Sequence, residues 1–311
     1  MYLRTAIATN KQWGFANAGY APLLSPHHSK SADGERRHSC ILREDVNCCD
    51  AVKMVQFNLW CGTVTSKVGP HDLQVLTATA AQLQFGINAT AAIVPGHYAS
   101  EEHVARVLRN LGKPAAAAMI EQKLPTTKSI RSGDLGEIFA TEWIAANGTY
   151  RVPIKRLRWK DHRNMAMRGE DVIGIAQDPA TFQLTFLKTE AKSRANLTGQ
   201  VVTQARAGLD KDAGLPSGHA LSYISARLVE LGDHALADAI DNATFQVGIQ
   251  PQAVRHLLFT FSGNAPDGML ITALQNYAGA FSQWSVGLRV DGHLAFVGAV
   301  YDHVIANANQ P

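Results

Sequence analysis

Cysteine is scarce in this chain of 311 residues. The four that occur, Cys40, Cys48, Cys49 and Cys61, all lie at or before position 61, and none is spaced as C-x-x-C. That argues against a disulfide framework and a cysteine-based zinc site, and reduced thiols suit a cytoplasmic protein. Long apolar runs are also missing. No stretch reaches about 18 apolar residues, so no membrane helix or membrane partner is expected. The opening "MYLRTAIATNKQWGF" lacks the apolar core of a signal peptide. There is no glycine-rich Walker A loop, so the chain should not itself hydrolyse ATP. The twelve histidines show no H-E-x-x-H or H-x-x-E-H spacing, and "SGHA" at 217–220 lacks a G-x-S-x-G elbow. A strong charge of one sign is absent too: the net charge of +3 is too weak in bulk to argue for a polyanionic partner.

The composition that remains is globular, with 46% hydrophobic and 18% charged residues. Residues 1–38 contain "SPHHSKSADGERRHS", polar and turn-rich, and read as a poorly ordered tail. An N-terminal α+β region is expected at 39–128. In it, "MVQFNLWCGTV" reads as a strand, and "SEEHVARVLRNLG" as a helix capped by Ser100 and stopped by Gly112. A further helix opens at Pro114. After the linker-like "LPTTKSIRSG", a second domain is expected at 129–311. Its first helix, "DLGEIFATEWIAANG", carries an apolar face of Leu135, Ile138, Phe139, Trp143 and Ile144 and ends at Gly148. Three strands are expected next: "YRVPIKRLRW", "EDVIGIAQ" and "FQLTFLKTEAK". A helix follows from about 196 to 209, a longer one from about 217 to 240, then a strand, "VRHLLFTFS". The C-terminal segment places Leu294, Val297, Tyr301 and Val304 at helical spacing. The fold class is α/β (α+β), and from residue 134 the order is α-β-β-β-α, then more helix and another strand.

The chemistry gathers at the ends of two of those strands. Residues two apart in a strand face one side, so Phe182, Leu184 and Phe186 share a face with Lys188, Glu190 and Lys192. That face is apolar in its first half and charged in its second, as expected where a strand opens into a cleft. The turn "QDPAT" contains Asp-Pro, a turn initiator. A hairpin centred between Ala180 and Thr181 sets Asp171 opposite Glu190, with Cβ atoms ~5 Å apart. Ionising both carboxylates at that distance is costly. A divalent cation such as Mg²⁺ or Mn²⁺ removes the cost, because hard ions take one or two carboxylates together with water and phosphate oxygens. Lys192 on the same face would stabilise developing charge. This is the logic of metal-assisted phosphodiester hydrolysis.

An aspartate followed by E-A-K on the next strand, after a helix bearing a glutamate, resembles the PD-(D/E)XK nuclease superfamily. Its core order is α-β-β-β-α-β. The resemblance implies that Glu137 is the helix glutamate, Asp171 the strand aspartate, and Glu190 and Lys192 the following pair. Asp171, Glu190, Lys192 and Glu137 would then be catalytic, and Asp171, Glu190 and Glu137 would hold the metal. Gln204 on the next helix would be an accessory polar residue. Glu170 stands where a proline often precedes the aspartate. The wider run "GDLGEIFATEWI", "GEDVIGI" and "LTFLKTEAKS" resembles, over about residues 40–311, the HamA family of nuclease subunits of the Hachiman anti-phage system. That resemblance implies a DNA-acting defence effector controlled by a partner helicase, HamB.

Plainer roles compete with these. Asp134-x-x-Glu137 has the form of a capping box, Asp171 of a turn acid, and Glu190 with Lys192 of an exposed ion pair contributing only ~0.2–1 kcal/mol. Between Arg151 and Arg168 lie seven basic residues around Trp159. Of these, Lys155, Arg156, Arg158, Lys160 and Arg163 form a candidate DNA-phosphate surface; the plain alternative is a solvated loop. The expected function is Mg²⁺-dependent DNA cleavage, with no small-molecule cofactor beyond the metal. Its alternatives are a catalytically idle nuclease-fold binding subunit and an autonomous repair or restriction nuclease. The region before 128 contributes no site residue, and is expected to dock the helicase.

Overall fold

The structure is a computed structural model that describes residues 54–309. Cys40, Cys48, Cys49, the expected tail and the beginning of the α+β region lie outside the described residues. The elements run β1 (Cys61–Val68), β2 (His71–Ala78), α1 (Leu83–Tyr98), α2 (Glu101–Leu111), α3 (Lys113–Lys123) and α4 (Lys128–Asn147). Then come β3 (Val172–Gln177), β4 (Leu184–Arg194), α5 (Gly199–Asp210), α6 (Gly218–Glu230) and α7 (His234–Asn242). The last are β5 (Val254–Ser262), α8 (Asp267–Gln275), β6 (Ser282–Arg289) and α9 (His293–Asn309).

The fold is α/β. Six strands form one sheet in the order β1-β2-β6-β5-β4-β3. The inner pairs β2–β6, β6–β5 and β5–β4 are parallel, and the outer pairs β1–β2 and β4–β3 are antiparallel. The central strand "VRHLLFTFS" is buried along almost its whole length, as a parallel strand covered on both faces must be. Its Leu257, Phe259 and Phe261 pack with residues of α1, α3, α4 and α9 on one face. Leu258 packs with α5 and α8 on the other. A further cluster joins α6 and α7 to Ile173, Ile175, Leu184 and Phe186 of the outer hairpin. Residues on both sides of position 128 share the sheet, and the described residues fall in one compact unit. Among the described residues no helix is long and apolar enough to cross a membrane.

Several local expectations hold. The Ser100 hydroxyl accepts from the His103 N–H at 3.2 Å, Gly112 and Gly148 adopt φ +81° and +74° at their helix ends, and β5 and α9 lie where expected. Three do not. "YRVPIKRLRW" is no strand: it forms one bridge, Arg151 to Ile175, and a short 3₁₀ turn over Arg156–Trp159. Pro153 has no N–H for a ladder, and the basic side chains after it turn toward α4. The helix expected from 217 to 240 is two, broken at Gly232 with φ +81°. Phe182 does not share the Leu184–Phe186 face; it sits in the turn at φ +58°, 69% exposed.

Candidate active site

The hairpin register is set by its ends. At the turn, the Asp178 carboxylate accepts from the N–H groups of Ala180 (2.9 Å) and Thr181 (2.7 Å). Along the strands Val172 pairs with Thr189. Continuing that ladder by one residue sets Asp171 against Glu190. Asp171 is fixed there by the Ala191 N–H, which donates to its Oδ2 at 2.8 Å. Glu190 shares a face of β4 with Lys188, and turns toward α5. A Cβ built on Gly208 of α5 would lie 2.8 Å from the Glu190 Cδ. Only a residue with no side chain leaves the carboxylate this space. Lys192 donates to Glu190 Oε1. Burial and the nearby Asp171 push the Glu190 carboxyl above its usual range, against the pull of Lys192.

Glu137 approaches from α4, but not as a helix cap. α4 begins at Lys128, after Thr127, so Asp134 and Glu137 lie well inside it and form no capping box. Arg156 grips both Glu137 oxygens, Nε to Oε1 at 2.8 Å and Nη2 to Oε2 at 3.2 Å. The same Nη2 lies 3.7 Å from Asp171 Oδ1. Nη1 donates to the carbonyls of Arg168, at 3.3 Å, and Glu170. Burial, with Asp171 and Asp134 nearby, pushes the Glu137 carboxyl up to about 7 although Arg156 opposes the shift. Asp171, Glu190 and Lys192 therefore adjoin one another, and Glu137 joins them through Arg156. Gln204 is exposed on α5, one turn before Gly208. Among the described residues no three His, Cys, Asp or Glu side chains are grouped closely enough to hold a metal by themselves.

The basic run does not form the open phosphate surface expected of it. Arg156, 13% exposed, is saturated by Glu137 and its neighbours. Lys160, 5% exposed, pairs with Asp134 at 2.5 Å. Lys155 reaches Glu142 at 3.3 Å, Arg158 donates to the Gly96 carbonyl at 2.9 Å, and Arg163 to that of Glu121 at 3.4 Å. The reason is electrostatic: α4 carries Asp134, Glu137 and Glu142 inward, and a buried carboxylate must be paired. Arg151, at the start of the run, pairs with Asp233 instead, at 3.1 Å.

Two residues near the site carry duties not visible in the sequence. Lys188, 1% exposed, donates to the carbonyls of Lys211 (2.7 Å) and Leu215 (2.8 Å). It pins a loop whose Asp212, Ala213 and Gly214 all have positive φ, and Lys211 in that loop exerts its charge on Glu190. Glu170 accepts from the Ser217 N–H at 2.7 Å and its hydroxyl at 2.9 Å, anchoring the start of α6. The sequence feature that marks a close approach to Glu190 is Gly208, four residues after Gln204 on one face of α5.

Comparison with known proteins gives the family of the chain. The chain matches the curated Hachiman protein HamA of Bacillus cereus with 24% identity over 183 residues, 59% of this chain and 64% of that relative. The match thus spans less than two thirds of the relative's length. The family model for HamA matches residues 54–304, which include every element from β1 to β6 and most of α9. The chain belongs to the HamA family.

Proposed function

We propose that this chain is a Mg²⁺-dependent deoxyribonuclease, the effector subunit of a Hachiman-type anti-phage defence system, under the control of a partner helicase. The observation that carries the chemistry is the opposition of Asp171 and Glu190 across two antiparallel strands, where Asp171 raises the cost of charge on Glu190. A hard divalent cation, Mg²⁺ or Mn²⁺, suits that donor set: two carboxylates from the protein, with water and phosphate oxygens completing the shell. When bound, such an ion would lower the pKa of a water and offset charge on the scissile phosphate.

The chain's own residues do the rest. Asp171 is held in place by the Ala191 N–H. Lys192, hydrogen-bonded to Glu190, supplies a positive charge where negative charge grows on the phosphate. DNA-phosphate contact falls to the exposed cations Arg168, Arg194 and Lys211, because the 155–163 cations are spent on the α4 acids and on backbone carbonyls. The Hachiman-type defence role is supported by the HamA family match and by the relative's name, and the partner helicase is the reading drawn from the resemblance in the sequence. They also suit a chain without a Walker A loop, which needs an outside source of ATP-driven control.

The test is direct. Purified protein, alone and with the helicase, is incubated with plasmid and linear DNA, with Mg²⁺ or EDTA, beside Glu190→Ala. Cleavage that needs Mg²⁺ and Glu190 is the expected result. No cleavage under any condition would assign the chain to a binding role, and cleavage indifferent to the helicase would make it an autonomous nuclease.

A further inference from the structure

The residue whose position the metal reading does not use is Arg156. Its five N–H groups are all directed to acceptors. Two go to the Glu137 carboxylate, at 2.8 and 3.2 Å. One lies toward Asp171 Oδ1, at 3.7 Å. Two go to the carbonyls of Arg168 and Glu170. The carbonyls belong to the segment that leads directly into Asp171, so the guanidinium is locked to the same backbone it serves. None of its donors is left for a phosphate. A guanidinium does not lose its charge in a protein and matches a carboxylate with two parallel hydrogen bonds.

We infer that Arg156 is a fixed cation built into the site in place of a second metal ion, so that Glu137 is its counter-ion rather than a metal ligand. This rests on the metal reading of Asp171 and Glu190 given above. The charges agree with it. Glu137, Asp171 and Glu190 would carry three negative charges, and Arg156 and Lys192 bring two positive ones. The single remaining negative charge suits one divalent cation plus a phosphate, not two cations. Geometry agrees as well. Both Glu137 oxygens are occupied, whereas Asp171 Oδ1 has only the distant Arg156 contact and Glu190 is held by a lysine that a substrate phosphate would compete for. Arg156 is on this view a positioning residue: it sets the segment 168–171, and through it Asp171, while discharging the α4 acid.

Metal counting tests this without relying on cleavage. Mn²⁺ is titrated calorimetrically into the full chain, its Glu190→Gln variant, Arg156→Gln, and the double variant Glu137→Gln/Arg156→Gln, whose neutral pair keeps a hydrogen bond. The wild type is expected to bind one Mn²⁺ and Glu190→Gln to bind it at least ten-fold more weakly. Arg156→Gln should take up a second ion, because it frees Glu137 and Asp171 of their counter-ion. The double variant should return to one ion, bound more weakly than in wild type because Arg156 also holds the 168–171 segment, but still measurably. Two ions in the wild type, one in a folded Arg156→Gln, or loss of the ion in the double variant would overturn the inference alone. Should Arg156→Gln not fold, the double variant decides. A wild type that binds no Mn²⁺ would instead remove the metal reading itself, and this inference with it.

Discussion

Two groups of acids lie within a short reach of each other, and they have opposite tasks. Asp134, Glu137 and Glu142 stand on α4, and each is matched by a base from the 155–160 segment: Lys160, Arg156 and Lys155. Glu142 goes furthest, accepting also from His97 at 2.7 Å and from the Val55 N–H at 3.2 Å. In the second group one acid faces another: Asp171 has the Ala191 N–H and a distant Arg156, and Glu190 a single hydrogen-bonded lysine. The same residue types glue a helix to a loop in one place and keep a cleft charged in the other. What separates the tasks is how fully each carboxylate's acceptor sites are filled.

The sharpest break in that comparison is a pair of substitutions. Glu142→Ala strips the partner from a buried histidine, a lysine and a backbone N–H at once, and Glu142 is only 2% exposed. Breaking a buried pair on one side costs about 3–5 kcal/mol, read as a large drop in thermal midpoint by circular dichroism. Glu190→Ala should leave the midpoint unchanged or slightly raised, since it relieves repulsion with Asp171, yet lower DNA cleavage by ~10²-fold or more. Equal losses of stability in both would erase the distinction between glue and site.

Gly208→Ala sharpens the same line. In a helix, alanine is favoured over glycine by about 1 kcal/mol, but here the new methyl would press on the Glu190 carboxylate at 2.8 Å. Overpacking typically costs about 1–3 kcal/mol, so the net is a destabilisation between zero and about 2 kcal/mol. The displaced carboxylate is the larger effect, since ~1 Å of misplacement can cost ~10²-fold in rate. Full activity with an unshifted midpoint would mean that Glu190 has room elsewhere, and that its position is not what the glycine protects.

The two groups also differ in how they could be read beforehand. The Asp171–Glu190 opposition follows from the Asp178 turn and a two-residue alternation, both local, and the ladder from Val172–Thr189 to Gln177–Leu184 carries that register. The α4 acids were legible only as a helix start, because their partners come from 13 to 26 residues away through a segment that pattern alone marks as a strand. Basic residues at 155–163 look free in a sequence, since sequence shows charge but not the buried acids that claim it. β2 and β6 escaped for a related reason: β6 carries Gly287, where a Cβ would meet Pro266, so close packing there is written as a missing side chain.

Acid titration separates the fold from the site on a smaller scale. Burial holds His97, His256 and His293 down at about 4, below the usual 6.5. Unfolded chain therefore binds more protons than folded chain between about 6.5 and about 4, and stability falls as pH falls through that window. Glu137, raised to about 7, acts in the other sense: it takes up a proton more readily when folded, which relieves its burial as pH drops below about 7. The buried Glu190 and Asp134 carboxyls are also raised and act with Glu137, but only Glu137 reaches about 7, so the three histidines dominate and thermal midpoints should decline from pH 6.5 downward. Glu137→Gln should steepen that decline, because it removes the largest opposing group. A midpoint that rises on acidification would show that these histidines are charged in the folded protein.

The smallest expected effect is at the hairpin tip, and it tests whether the register of the site depends on the turn's own side chains. Phe182 holds φ +58° while 69% exposed, so it takes the strain of a left-handed conformation with little burial in return. That conformation costs an L-residue about 1–2 kcal/mol. Phe182→Gly removes this strain, but glycine gives back about 0.5–1 kcal/mol by its greater freedom in the unfolded chain. The balance is a stabilisation between zero and about 1.5 kcal/mol, measurable by urea unfolding. Cleavage should not change, because the Asp178 hydrogen bonds to Ala180 and Thr181 keep the turn and the strand ladder keeps Asp171 opposite Glu190. A variant that is more stable but inactive would place the control of register in Phe182, and would move the origin of the site from the strands to the turn.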